Sequence, residues 1–305
     1  MDNLCHTLVG AAFGEAGLKH RVRYGNAVLM VAANIPDVDV LGFVTDTPAV
    51  ALRRGLTHGV LAQALLPVLF SLAVAGIERI GSRSSAPRSR LGSLLILSYI
   101  GVLSHVGLDW LNNYGVRLLM PWSAKWFYGD AVFIIDPFLW LVLGGGVWLA
   151  RRRPRSSAAA AGIALACIYI AGMVWSARAA RQEVVDAWTR HHGRPPHALM
   201  VGPRLGNPLR RTVIVDTGDA YHTGAFQWLP ARASFNGPVV RRIDEHPAVI
   251  RAREHPDIRA VLVWARFPYY EVEAVTEGTR VTLRDMRFGS QVGEVTVVVT
   301  RIADR

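Results

Sequence analysis

Long apolar stretches separated by short basic loops make up residues 1–176 of the chain. The last four of six such stretches approach the ~20 residues that a membrane-spanning helix requires. The first two are shorter, which favours a tilted or re-entrant hairpin packed against protein. The stretches are 4–18, 24–36, 55–77, 91–111, 131–150 and 158–176. The pattern predicts an α-helical membrane domain of about six apolar helices, the first two short or re-entrant.

The pattern changes after residue 176. A helix leaving the membrane is followed by short alternating β-branched runs between Gly- and Pro-containing turns, which is typical of strands. Residues 193–210 are predicted to form a loop, and a short helix is predicted to precede the third strand. The predicted strands are 211–217, 220–229, 260–275, 280–289 and 294–303. We therefore expect two domains, a membrane domain at 1–176 and a small, mostly antiparallel α+β domain at 177–305.

The composition supports a membrane protein, and the basic loops predict which side of each segment faces the cytoplasm. The chain is 51% hydrophobic, and its formal net charge is +11. Basic loops at 19–23, 79–90 and 151–155 are expected in the cytoplasm, since Lys and Arg in short loops normally stay there. Alternation of the segments then places the C-terminal domain on the extracytoplasmic side. No nucleic-acid-binding motif accompanies the charge, so we expect no nucleic-acid partner.

The N-terminal segment and the cysteines exclude a secretory signal, a disulfide framework and a CxxC metal site from the prediction. Asp2 precedes the first apolar stretch and the basic cluster follows it, the reverse of a secretory signal, so we expect a retained helix. Cys5 and Cys167 are the two cysteines of the chain, and both lie in apolar segments. They indicate neither a disulfide framework nor a CxxC metal site.

Ionisable residues within the apolar segments fall at one depth, on the outer side of this topology. Such residues cost roughly 2.5–3.5 kcal/mol each to insert and persist mainly for function or pairing. His105 and Asp109, at i and i+4, share one face of a helix and can bind one ion. A buried His–Asp hydrogen bond would give the same pattern. The full set is His6, Asp37, Asp39, His58, His105, Asp109, Asp130 and Asp136.

The stretch "NIPDVDV" at 34–40 carries two of these aspartates. Pro36 disfavours a helical conformation of the residue before it. If the stretch is extended, Asp37 and Asp39 point to the same side. The alternative is a helix stop at which an aspartate caps the following element.

The combination of three histidines and at least three aspartates at one level predicts a metal site. Singly, histidines in the positions of His6 and His58 are more often satisfied polar residues than metal ligands. Mixed nitrogen and oxygen ligands suit zinc, with manganese and iron as alternatives. Asp136, before Pro137, is a ligand, a carboxylate that orients a histidine, or a helix terminator. Asp130 fits a helix cap.

Four motifs in order resemble those of the bacterial membrane-bound metal-dependent hydrolases, an inner-membrane group distantly similar to zinc-dependent phospholipase C. They are "MDNLCHTLVGAAFGEAGL" at the start, "PDVD" at 36–39, "RGLTHG" at 54–59 and "SHVGLDWLNNYGVRLLMPW" at 104–122. The resemblance covers about residues 1–140. It implies a multi-pass protein of the bacterial inner membrane, a hydrolytic activity, and a metal site formed by His6, Asp37, Asp39, His58, His105 and Asp109.

The chain departs from the family pattern at three positions. Arg53 stands where family members often have a histidine, Gly59 where they have a serine, and Cys5 where a threonine is common. If that first histidine is a ligand elsewhere, this chain has one ligand fewer.

The expected chemistry is hydrolysis by a metal-activated water. Asp39 or Asp136 is expected to take the proton of the water, and Arg53 or Arg54 to pair with a substrate phosphate. Lipid-headgroup contact is the competing role for both arginines. We expect membrane lipids as partners and a lipid or lipid-linked phosphoester as substrate, by analogy with phospholipase C.

Two further functions compete with hydrolysis. A non-catalytic scaffold or regulator would carry a structural metal site and use its outer domain to bind a partner, which the sequence does not identify. A transporter would use the His/Asp cluster as an ion path, but the polar residues do not extend across the bilayer and no paired broken-helix repeat is visible.

Overall fold

The computed structural model describes residues 1–44, 48–80, 89–153, 157–241, 243–289 and 292–299. Parts of the predicted basic loops 79–90 and 151–155, and residues 300–303 of the last predicted strand, lie outside these ranges. The chain divides into two compact units. Within the described residues, unit 1 comprises Met1–Asp39, Arg54–Ala179 and Gly202–Pro208, and unit 2 comprises Val40–Arg53, Ala180–Val201 and the chain from Leu209 onward.

Unit 1 is helical, and each predicted apolar segment contains a helix. α1 and α2 are short, with 13 and 8 residues, whereas α7 has 35 residues and continues into unit 2. 3-10 helices follow α1 and α2, at Leu18–Arg21 and Ile35–Val44. The α-helices are α1 Asn3–Glu15, α2 Gly25–Ala32, α3 Ala49–Leu52 (in unit 2), α4 Val60–Ile80, α5 Leu91–Trp110, α6 Pro137–Arg152 and α7 Ala158–His192.

Among the described residues, three helices are long and apolar enough to cross a membrane: α4, α5 and α7. The prediction of about six membrane helices is therefore supported only for these three. The fifth predicted segment, 131–150, yields a shorter helix because α6 begins at Pro137 and has 16 residues. Pro137 suits the first turn of a helix, and the Asp136 carboxylate caps it by accepting from the N–H groups of Phe138 and Leu139.

Small residues bring the helices that carry the candidate ligands close together. A Cβ on Gly10 of α1 would lie 2.8 Å from the backbone of Leu29 in α2. A Cβ on Gly101 of α5 would lie 2.6 Å from the Cβ of Ala32. Such positions allow close helix–helix approach inside a membrane. α2 is therefore held against both α1 and α5, immediately before the chain segment that carries Asp37.

Unit 2 combines the second part of α7 with two antiparallel sheets. The first sheet has the order β1–β2–β3–β4 and the second β5–β6–β7. Trp188 of α7 is buried among valines of β2 and Phe226 of β3. The elements are β1 Ala198–Arg204, β2 Asn207–Asp216, β3 Ala220–Trp228, β4 Ala231–Arg241, α8 Pro247–Ala252, α9 Pro256–Leu262, β5 Pro268–Val275, β6 Gly278–Asp285 and β7 Val295–Val299.

Three details of the predicted C-terminal domain are wrong. The predicted loop 193–210 contains β1 and the start of β2, and β4 was not predicted. The predicted strand 260–275 begins instead at Pro268, because α9 continues to Leu262. The coarser prediction, a helical domain followed by an α+β domain, is confirmed.

Candidate metal centre

Four buried side chains converge in unit 1 at positions that suit one ion. Asp37 comes from the 3-10 helix after α2, His58 from the turn before α4, and His105 and Asp109 from α5. One ligand atom from each lies within 4.8 Å of the other three. The side chains of His58, His105 and Asp109 are fully buried and that of Asp37 is 6% exposed.

The distances within this cluster match those around a tetrahedral ion. Ligand atoms about 2.1 Å from a tetrahedral zinc are about 3.4 Å from one another. The two Nε2 atoms of His58 and His105 are 3.1 Å apart. Oδ2 of Asp109 lies 3.3 Å from the first and 3.5 Å from the second. Oδ1 of Asp37 lies 3.9 and 3.7 Å from them. The donor set and its spacing therefore fit a divalent metal.

Each of these histidines is fixed through its other ring nitrogen. Nδ1 of His105 lies 2.7 Å from the carbonyl oxygen of Ala33, at the end of α2. A carbonyl oxygen only accepts, so Nδ1 carries the proton and Nε2 presents a lone pair to the cluster. Nδ1 of His58 lies 3.0 Å from Oγ1 of Thr57, which in turn donates to Oδ2 of Asp39. Such contacts orient metal-binding histidines.

Asp39 therefore lies behind His58, whereas Asp37 faces the ion position. The sequence suggested an extended stretch with both carboxylates on one side, and this is corrected by the 3-10 helix at Ile35–Val44. At three residues per turn, side chains two positions apart point about 120° away from each other. Oδ2 of Asp39 also accepts from the backbone N–H of Arg54 at 2.6 Å.

His6 of α1 borders the cluster on a second side. Its ring stacks on that of His105 with centroids 3.7 Å apart, and it is fully buried. Nε2 lies 3.3 Å from Oδ1 of Asp109, yet neither ring nitrogen has a hydrogen-bond partner among the described residues. A buried imidazole without partners is costly, and a metal or a water would satisfy it. His6 is thus placed to bind an ion that Asp109 shares.

Arg54, which the sequence assigns to a substrate phosphate or a lipid headgroup, lies inside the site. Its side chain is 5% exposed, with Nε 2.9 Å from Oδ2 of Asp109 and Nη2 3.0 Å from Oδ1. Nη1 donates to Oδ1 of Asn112, and the guanidinium lies over the ring of Tyr114. The amino group of Met1 also contacts Asp109. Two cationic groups thus surround this carboxylate.

Sequence reasoning missed the role of the loop that follows α5. Aromatic residues are typical of the membrane interface and paired asparagines of a turn, but Tyr114 and Asn112 both contact Arg54. The backbone N–H of Arg117 donates to the carbonyl oxygen of Arg54. Burial lowers the pKa of Arg117, and the charges of Tyr114 and Asp39 oppose that shift. An Asn-Asn-Tyr sequence that begins three residues after the candidate ligand Asp109 was the available signal.

The remaining predicted site residues lie apart from the four-ligand cluster. Asp136 caps α6 through Oδ1, and its Oδ2 accepts from the hydroxyl of Tyr169 at 2.9 Å. Asp130 has a positive φ of 50° and lies in the irregular stretch before α6. Arg53 is partly buried, at the position before Arg54.

Gly59 explains one departure from the resemblance drawn above. A Cβ at this position would lie 2.4 Å from the carbonyl oxygen of Met120. The loop after α5 therefore packs directly on the turn that carries His58. A serine here requires that loop to move.

These features define the class of the protein: a membrane protein with a helical unit, a buried candidate metal centre and a C-terminal α+β unit. The chain belongs to the YdjM inner membrane protein family, whose family model matches residues 1–180. The Bacillus subtilis (strain 168) protein named "Uncharacterized protein YfhP" is 22% identical over 310 residues, covering 95% of this chain and 88% of the relative. No solved structure matches the chain.

Proposed function

We propose that this protein is a metal-dependent hydrolase of the inner membrane that acts on a lipid or a lipid-linked phosphoester. The observation that carries the proposal is the cluster of Asp37, His58, His105 and Asp109, whose spacing fits a tetrahedral ion. Two carboxylates and two neutral imidazoles are a donor set that zinc favours, with manganese and iron as alternatives. A bound divalent metal would supply an activated water.

The protein side chains have separable roles in this proposal. Asp37, His58, His105 and Asp109 hold the ion, and His6 extends the site on the Oδ1 side of Asp109. Asp39 positions His58 through Thr57, which donates a hydrogen bond to Oδ2 of Asp39. If Asp39 also takes a proton from the water, it does so through its other oxygen, Oδ1. Asp136 is a weaker candidate for the base, since both of its oxygens already accept hydrogen bonds.

Arg54 is proposed to stabilise Asp109 rather than to bind phosphate in the resting state. Its forked contact with both carboxylate oxygens uses the geometry that also matches a phosphate. Arg53, at the preceding position, is the proposed phosphate-binding arginine. The positive-inside distribution of the loops supports an extracytoplasmic position for the site and for the C-terminal domain.

The first test is the metal content of detergent-purified protein, measured by elemental analysis. We expect stoichiometric divalent metal in the wild type and its loss in His105→Ala and Asp109→Ala. Asp136→Asn is the matched control, because this buried carboxylate lies outside the cluster and the variant should keep its metal. Hydrolysis of phosphodiester and phospholipid substrates should fall with metal content. A wild type that stays metal-free after incubation with zinc, manganese or iron would refute the proposal.

A structural metal site in a non-catalytic scaffold is the second candidate, favoured by the complete burial of His58, His105 and Asp109. A structural site is closed, whereas a catalytic site keeps a position for water or substrate. Cobalt substitution separates the two. If inorganic phosphate changes the visible absorption of the cobalt protein, the site is open and hydrolysis is favoured. An unchanged spectrum at saturating phosphate favours the scaffold.

A further inference from the structure

An apolar groove runs along unit 1 between α2 and α4 and reaches the candidate metal centre. It consists of two adjoining cavities of about 680 and about 450 Å³. Val31 of α2 lines both cavities, and Asp37 lines the larger one. Asp37 is also a member of the four-ligand cluster. The groove and the candidate metal centre therefore share a residue.

One face of α4 forms the far wall of the groove. Leu66, Phe70, Val74 and Ile77 line it at intervals of four, four and three residues, which places them on one stripe of the helix. At 1.5 Å per residue the stripe is roughly 16 Å long. Carbon–carbon bonds of about 1.5 Å zigzag in an extended hydrocarbon chain, so each carbon advances it by about 1.25 Å and about 13 carbons span that distance.

The groove is polar where it reaches Asp37 and apolar along the length that follows. The end at Asp37 contains amide and hydroxyl side chains, those of Asn3, Thr7 and Asn34. The amide nitrogen of Asn34 donates to Oγ1 of Thr7, and its Oδ1 has no hydrogen-bond partner among the described residues. Beyond this end the groove is apolar as far as Arg23 and Glu78. This lining suits an amphiphile. Its polar head would lie at the end beside Asp37, and its apolar chain would lie along α4.

We propose that this groove holds one hydrocarbon chain of a lipid substrate and places the cleavable linkage of that lipid beside Asp37. The proposal rests on the proposed function and specifies its substrate as a membrane lipid that enters sideways from the bilayer. α4 is long and apolar enough to span the membrane. An apolar groove open at that depth faces lipid rather than water, so an acyl chain is the occupant that the bilayer supplies.

Photo-crosslinking tests the occupant directly. The full-length protein is placed in phosphatidylglycerol vesicles that contain a trace of phosphatidylglycerol with a diazirine near the middle of one acyl chain. After irradiation, labelled residues are located by peptide mass spectrometry. We expect Phe70, inside the groove, to be labelled severalfold more than Leu69, which is 59% exposed on the same helix. Equal labelling would mean ordinary boundary lipid and would overturn the proposal.

A variant and its matched control sharpen this test. Val31→Trp fills the junction of the two cavities from a position that is 49% exposed, and it should reduce labelling of Phe70 severalfold. Leu69→Trp adds the same indole outside the groove and should leave Phe70 labelled. Persistent labelling of Phe70 in folded Val31→Trp would also overturn the proposal. The wild-type comparison of Phe70 with Leu69 remains decisive if Val31→Trp fails to fold.

The experiment separates the groove from the proposed hydrolysis. Labelling does not require turnover, so the experiment is repeated on His105→Ala, in which the preference for Phe70 should persist. Groove labelling that persists while metal content and hydrolysis are absent from the wild type would retain the lipid groove and reject the metallohydrolase. Stoichiometric metal and hydrolysis with no preference for Phe70 would retain the enzyme and reject the groove.

Discussion

Arg54→Met should destabilise the metal-free protein far more than the metal-loaded protein. The arginine contacts both oxygens of Asp109 at 2.9 and 3.0 Å in a buried setting. Removing one partner of a buried ion pair typically costs about 3–5 kcal/mol, because the other charge is left uncompensated. Since the amino group of Met1 also contacts Asp109, we take the lower end, about 3 kcal/mol. At 2–4 °C per kcal/mol for a unit of this size, the midpoint should fall by about 6–12 °C.

A divalent ion on Asp109 supplies the missing positive charge, so the loss should shrink when the protein is loaded with metal. Thermal unfolding in detergent is therefore followed with zinc and with chelator, for the wild type, for Arg54→Met and for Arg152→Met. Arg152 is an exposed arginine at the end of α6, so its variant should behave as the wild type does. The rise in unfolding temperature on adding zinc should be several degrees larger in Arg54→Met. Equal rises in all three proteins would refute the assignment of Arg54 and the ion to the same carboxylate.

Three further substitutions probe the scaffold around the site. Gly101→Ala should lower metal content, because the added methyl group would meet Ala32 at 2.6 Å and push α2 away from α5; elemental analysis checks it, and unchanged metal would contradict the close packing. Asp136→Ala should lower stability by about 1–2 kcal/mol without loss of metal, since it removes a helix cap and the contact with Tyr169; chemical denaturation measures it, and metal loss would return Asp136 to the site. Trp188→Ala should destabilise unit 2 by about 3–5 kcal/mol and leave the metal in place, because Trp188 is buried in the core of that unit. Proteolysis of the C-terminal domain and metal analysis measure the two effects, and loss of metal would show that the site depends on unit 2.

The sequence predicts the position of the helices well because long apolar runs have few alternatives in a membrane protein. It also singles out Asp37, His58, His105 and Asp109 from three separate motifs, and the structure places these residues within one cluster. The role of Asp39 was less predictable, since it depends on whether residues 35–44 are extended or form a 3-10 helix. A proline favours leaving the α-helix, but it does not select between those two conformations.

The C-terminal strands show a different limit of sequence reasoning. β1 and β4, which were not predicted, are the two edges of the four-stranded sheet, and each contains a proline, Pro203 and Pro238. Proline lacks a backbone donor and is confined to edge strands or bulges, so its presence argues against a central strand. The pairing of β3 with β4 is irregular around His222, close to Pro238. Because only the sheet order reveals that these strands are edges, the sequence alone predicted a loop at β1 and no strand at β4.

Access to the candidate metal centre is asymmetric, and this bears on whether it is structural or catalytic. His58, His105 and Asp109 are fully buried and lie within 3.1–3.5 Å of one another through their ligand atoms. Asp37 is 6% exposed, lies farther from both imidazoles, and lines the larger cavity. Three close candidate ligands and one more loosely placed carboxylate on the cavity side are the arrangement that the proposed hydrolase requires, in which one position would be shared with water or substrate. In the proposed function a substrate would therefore approach past Asp37, from the groove between α2 and α4, and His58, His105 and Asp109 would hold the metal.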